Sequence, residues 1–141
     1  MSRIFWDTML FVYLLEGNPE FSPRVRELLG RSMKRGDELF TSHLAVGEIM
    51  AGVGKSTNRP SERIMRETLR EMGLNCLPFG EGAVSPFARL RSVEKLKVAD
   101  AIHLACAASA GIDLFLTGDK QLIKLDIPGI QFIADFNNPV L

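Results

Sequence analysis

The chain has 141 residues, 46% apolar and 24% charged, with 17 basic side chains against 17 acidic ones. Such a length suits a single domain with a core that needs no staples. The composition excludes disordered and fibrous classes, and the charge balance gives no general ground for binding nucleic acid or a membrane surface. Cys76 and Cys106 are the only cysteines and form no CxxC pair, which argues against a disulfide scaffold and for buried thiols in a reducing cytoplasm. Arg3 before the apolar stretch 9–15 mimics a leader, but Asp7 interrupts it and no Ala-x-Ala site follows. No apolar run reaches the ~18 residues of a membrane span, so neither export nor insertion is expected.

In chain order, residues 3–6 read as a short buried strand and 8–16 as a helix that Gly17 stops. Ser22 and Pro23 supply a capping hydroxyl and a first-turn proline for a helix carrying Val25, Leu28, Leu29 and Met33, closed by Gly36. A second strand is expected over 37–41, then a helix capped by Ser42 that carries Leu44, Ala45, Glu48 and Ile49. Residues 52–60 are rich in glycine, lysine and serine and read as a connection. Ser61 caps a helix with Ile64, Met65, Leu69 and Met72 on one side and Gly73 as its stop. A third strand is expected over 75–79, and Pro86 should open or break a helical stretch reaching Val93. The alanine-rich stretch 98–110 predicts a helix able to pack closely on a sheet, followed by a strand at 113–117, a short helix at 120–125 and a last strand at 131–134. The alternation implies an α/β fold: a parallel sheet of about four to five strands flanked by helices, in one domain. The helices near 22–35 and 61–72 exceed a minimal βαβ pattern and are expected as a protruding hairpin or a partner surface.

Four acids fall at telling places in this pattern. Asp7 ends the first strand, Glu48 lies in the first turns of the helix after the second, Asp100 opens the alanine-rich helix and Asp119 follows the strand at 113–117. Ligands of parallel α/β sheets sit beyond the carboxyl ends of the strands, and a crossover helix running back begins at that same edge. All four should therefore converge. Singly, each has an ordinary explanation as a helix cap or as a partner of the helix dipole. Together they repel one another unless protons or a cation neutralise them. An all-oxygen set without a thiolate group suits magnesium or manganese better than zinc, and the implied chemistry is metal-assisted phosphodiester hydrolysis.

The segments Phe5-Trp6-Asp7-Thr8, 42–48 (SHLAVGE), 98–105 (VADAIHLA) and Leu116-Thr117-Gly118-Asp119 resemble, in order and spacing, those of PIN-domain ribonucleases, and in particular VapC-like toxins of toxin–antitoxin modules. The resemblance spans essentially the whole chain. It implies a Mg²⁺- or Mn²⁺-dependent endoribonuclease with Asp7, Asp100 and Asp119 as metal ligands, directly or through water. Glu48 would complete the acidic pocket and position water, and Thr117 would hold the loop or an acid by hydrogen bonding. It further implies a cognate antitoxin, a homodimer and an RNA substrate. Two positions depart from the pattern: Met9 stands where the family commonly has asparagine or serine, and Gln121 replaces a further acid.

Other signals carry less. Gly54-Lys55-Ser56 lacks the first glycine of a phosphate-binding loop, since Ile49 stands there, and it follows a helix rather than a strand. His103 is one turn from Asp100 and is expected as a packed helix histidine; His43 is expected at a loop or cap. Arg89, Arg91, Lys95, Lys97 and Lys120 surround the third and fourth acids and fit either RNA phosphates or a solvated face. Phe5, Trp6 and Phe11 read as core. Two rival functions stand beside the toxin: a PIN-fold nuclease of RNA processing, and a catalytically silent module that binds a basic peptide in the same pocket.

Overall fold

The computed structural model describes residues 1–52 and 59–138. Gly54-Lys55-Ser56 and most of the connection at 52–60 lie outside them. The described elements are β1 (Arg3–Trp6), α1 (Thr8–Glu16), α2 (Ser22–Arg35), β2 (Glu38–Ser42), α3 (His43–Ala51), α4 (Glu62–Glu71), β3 (Asn75–Leu77), α5 (Glu81–Ser92), α6 (Val98–Ala110), β4 (Ile112–Thr117), α7 (Lys120–Ile123) and β5 (Ile130–Asp135).

The strands form one five-stranded sheet in the order β3-β2-β1-β4-β5, parallel at every pairing. The period-two alternation of β1 divides the core between the two faces of this sheet. Ile4 and Trp6 join Leu10, Phe11, Val25, Leu28, Ile49, Met65 and Leu69 on the face covered by α1 to α4. Phe5 joins Phe40, Phe115, Ala101, Leu104, Ala105 and Leu90 on the face covered by α5 and α6. Alanines on α6 let its backbone approach the sheet, and Phe5 stacks on Phe115 with centroids 4.7 Å apart. Phe5, Trp6 and Phe11 are wholly buried, in line with the sequence. The helices α2 and α4 do not protrude as a hairpin; their apolar stripes lie in the first core cluster.

Local chemistry explains where the elements depart from the sequence pattern. The third strand stops at Leu77 because Pro78 has no N–H to continue the ladder. Pro86 neither opens nor breaks α5 but lies inside it, costing one intrahelical bond while Ala83 and Leu90 on either side stay buried in the second core cluster. Ser22 is the first helical residue rather than the cap, and its hydroxyl makes no capping bond; Asn18 Oδ1 instead accepts the amides of Glu20 and Phe21, both at 2.9 Å. Gly129 is required where it stands, since a Cβ there would meet the carbonyl oxygen of Ala108 at 2.4 Å. Both cysteines are free, Cys106 buried and Cys76 only partly so.

Candidate functional site

Strand order decides where a site can form. The chain works outward from β1 to β3, then crosses to the other side of β1 to lay down β4 and β5. The connections leaving β1 and β4 therefore diverge, and a crevice opens at their carboxyl ends. Asp7 follows β1 and Asp119 lies just beyond β4, so the two acids straddle that crevice. Asp100 in the first turn of α6 and Glu48 on α3 complete its wall. All four sequence-selected acids line one cavity of about 340 Å³, together with Thr8, Met9, Tyr13, Ala99, His103 and Gly118.

Each acid is held in a different way. Asp7 is the N-cap of α1: Oδ1 accepts the Thr8 amide at 2.8 Å, and Oδ2 accepts the Thr117 hydroxyl at 2.7 Å. The wholly buried Thr117 also accepts the Asp119 amide at 3.0 Å, so one hydroxyl ties a carboxylate on the β1 side to the loop after β4. Asp119 caps α7, accepting the Gln121 amide at 2.9 Å. Glu48 Oε1 accepts Thr8 Oγ1 at 2.7 Å and lies 2.8 Å from His103 Nε2. Asp100 makes no side-chain bond of this kind among the described residues. Its carboxyl is pushed above the ordinary carboxylate range, first by burial and then by the negative charges of Asp7 and Asp119; His103 and Lys97 draw it partly back. Three carboxylates thus share one field with no arginine or lysine ion pair among the described residues.

His103 is buried, as a packed helix histidine should be, but it also lines the cavity and bonds to Glu48. The signals that could have found it were its one-turn spacing from Asp100 and a serine cap on the helix bearing Glu48. Thr8 likewise carries no local sequence signal for its bond to Glu48 beyond its place next to Asp7. His43 is exposed and outside the cavity lining. Among the basic residues, Arg91 donates to the Leu96 carbonyl at 2.7 Å and so holds the loop before α6, in which Lys95 adopts a left-handed φ of 56°. Lys97, Lys120 and Arg89 are exposed.

With this geometry in place, the sequence matches the PIN domain family over residues 4–128. The chain belongs to the PIN-domain family. Solved structures of other proteins share its fold at low identity. A chain of a toxin–antitoxin complex from Klebsiella pneumoniae is 23% identical with a TM-score of 0.66, over 90% of this chain and 94% of the other. A chain of VapBC2 from Rickettsia felis, bound to a DNA fragment from the promoter, is 17% identical with a TM-score of 0.66, over 94% and 98%. One of VapBC-5 from Mycobacterium tuberculosis, a member of the VapBC family of toxin–antitoxin systems, is 21% identical with a TM-score of 0.63, over 96% and 99%. No curated protein matches this PIN domain in sequence. Among the described residues no helix is long and apolar enough to cross a membrane.

Proposed function

We propose that this PIN domain is a metal-dependent endoribonuclease, the toxin of a toxin–antitoxin pair neutralised by a cognate antitoxin. The observation that carries the reading is the convergence of Asp7, Glu48, Asp100 and Asp119 on one cavity, with no arginine or lysine ion pair to any of them among the described residues. The toxin role draws on the three toxin–antitoxin structures that share the fold. A homodimer acting in the cytoplasm is part of the same proposal.

The donor set fits magnesium or manganese: the acids offer oxygen only, and the mutual repulsion felt by Asp100 favours a cation among them. No three His, Cys, Asp or Glu side chains among the described residues are set to hold a metal directly. Asp7, Asp100 and Asp119 would accordingly hold it in part through water, as suits a cation that dehydrates reluctantly. When bound, it would supply a Lewis acid for the phosphoryl oxygens and an acidified water.

The remaining work falls to the chain. Thr117 fixes the direction of Asp7, so the carboxylate does not swing away when its neighbours repel it. Glu48 Oε2, with no donor among the described residues, is free to take a proton from an attacking water. Lys97, three residues before Asp100, and Lys120, next to Asp119, are exposed and would meet phosphates of a bound strand.

The test is incubation of purified chain with a pool of structured RNAs in Mg²⁺ or Mn²⁺, beside chelator and Asp100→Asn controls. Cuts that vanish in both controls are expected. Cleavage at the wild-type rate in either control would overturn the site assignment, and no cleavage in any pool would favour the silent binding module. Induced expression should arrest growth in the wild type and not in Asp100→Asn; failure to arrest would point to RNA processing instead.

A further inference from the structure

Among the described residues, Glu48 is the one acid of the cavity gripped by side chains from two other elements. Thr8 on α1 and His103 on α6 both reach the same oxygen, Oε1, at 2.7 and 2.8 Å. The other oxygen, Oε2, has no hydrogen bond among the described residues, and Glu48 lines the cavity.

The ring proton of His103 can be placed by accounting for its neighbours. Ser42 is wholly buried, and its Oγ accepts the Ala45 amide at 3.0 Å as the N-cap of α3. The same oxygen lies 2.7 Å from His103 Nδ1. A buried hydroxyl proton needs an acceptor, and Nδ1 is the one within reach. Ser42 therefore donates to Nδ1, and the proton of the neutral ring sits on Nε2, directed at Glu48. The opposite tautomer would set a nitrogen lone pair against a carboxylate oxygen and strand the Ser42 hydroxyl. Phe5, with its centroid 6.5 Å from the imidazole, helps wall the ring in place.

We propose that His103 is a positioning residue: locked by Ser42 as the Nε2–H tautomer, it joins Thr8 in pinning Glu48 Oε1, which turns Oε2 to the cavity as acceptor of the water's proton. The proposal rests on the nuclease reading for the role of Glu48, but not for the hydrogen bonds themselves. The arrangement also joins α1, α3 and α6 through side chains at the cavity wall, so the direction of one carboxylate depends on three separate elements.

The chain has two histidines, so nitrogen-15 NMR of the imidazoles, with His43→Gln for assignment, reads the tautomer of His103 directly in the full chain. A bare Nδ1 and a protonated Nε2 are expected at neutral pH; a proton on Nδ1, alone or with Nε2, would overturn the proposal. In parallel, His103→Leu and His103→Gln are assayed on the RNA that the wild type cuts fastest. Folding is checked by circular dichroism. The Leu variant should lose about 10- to 100-fold in kcat with KM nearly unchanged, the range for groups that orient a functional side chain. Gln, which keeps an N–H near the Nε2 position, should recover most of that loss. A folded Leu variant at the wild-type rate, or Gln as slow as Leu, would overturn positioning. Should the Leu variant not fold, the tautomer and the Gln variant decide. Wild-type chain that cuts no RNA would instead remove the nuclease reading, and the tautomer would then decide the hydrogen-bonded arrangement on its own.

Discussion

The two edges of the sheet treat their carboxylates in opposite ways. At the amino edge, Asp113 Oδ2 accepts the Arg3 amide at 2.8 Å, and Asp37 Oδ1 accepts the Ser2 amide at 2.7 Å. Asp37 also lies 3.4 Å from Arg35, an ion pair by distance though its geometry makes no hydrogen bond. Arg3 donates to the Ala110 carbonyl at 2.8 Å and lies over the Phe40 ring at 4.7 Å. Charge there is spent on holding chain ends and strand starts together. At the carboxyl edge, Asp7 and Asp119 also accept neighbouring amides, but Asp100 has no side-chain hydrogen bond or ion pair among the described residues and feels the charges of the other two. The lesson is that acids of equal rank in the sequence differ by what faces them: one edge gains stability from charge, and the other gives stability up to keep charge available.

That contrast can be broken from either side. The largest effect expected is on cleavage. Asp7→Asn or Asp100→Asn should slow it by ~10²–10³-fold, the scale of losing one preorganised charged group. Single-turnover assays would measure this, and a loss below tenfold would blur the distinction between the edges.

The mirror experiment alters the amino edge. Asp37→Ala leaves the Ser2 amide and Arg35 without their partner and should cost about 1–3 kcal/mol of stability, read by urea unfolding. Cleavage per folded molecule should stay at the wild-type rate; a fall would mean the two edges are coupled.

A third prediction concerns pH. Because the Asp100 carboxyl is raised above its ordinary 3.8 in the fold, its stabilising contribution is complete below that value and is lost as pH rises through the folded one. Asp100→Asn should therefore melt a few degrees higher than wild type at neutral pH. The gap should close as pH falls toward the ordinary carboxylate value. Melting curves across that range would show it, and a variant less stable at neutral pH would mean Asp100 is paired rather than repelled.

The smallest effect is expected at Thr117→Val. Losing the hydroxyl between Asp7 and the Asp119 amide should cost about 1 kcal/mol and slow cleavage by roughly tenfold, the low end for orienting groups. An unchanged rate would show that Asp7 keeps its direction without Thr117.

Most elements were legible in the sequence because their signals are local. Gly17, Gly36 and Gly52 end helices with positive φ, Ser42 and Ser61 cap them with a hydroxyl, and Ile4, Phe5 and Trp6 alternate as a buried strand must. The acids were selectable because each stands at a strand end or helix start, which fixes the edge of the sheet it occupies. Where local signals competed, the sequence misled: Pro86 suggests a break, yet its helix continues because apolar burial on both sides outweighs one missing bond.

The sequence by itself determined the periodicities, the caps and the edge on which Asp7, Glu48, Asp100 and Asp119 lie. Only the tertiary structure decided that β1 and β4 are neighbours, since strand order depends on which crossover buries which face. It alone brought Ser42, His103, Glu48 and Thr8 into one chain of hydrogen bonds. Those bonds span 40 to 95 positions along the chain, and no local pattern encodes a partner that packing brings near.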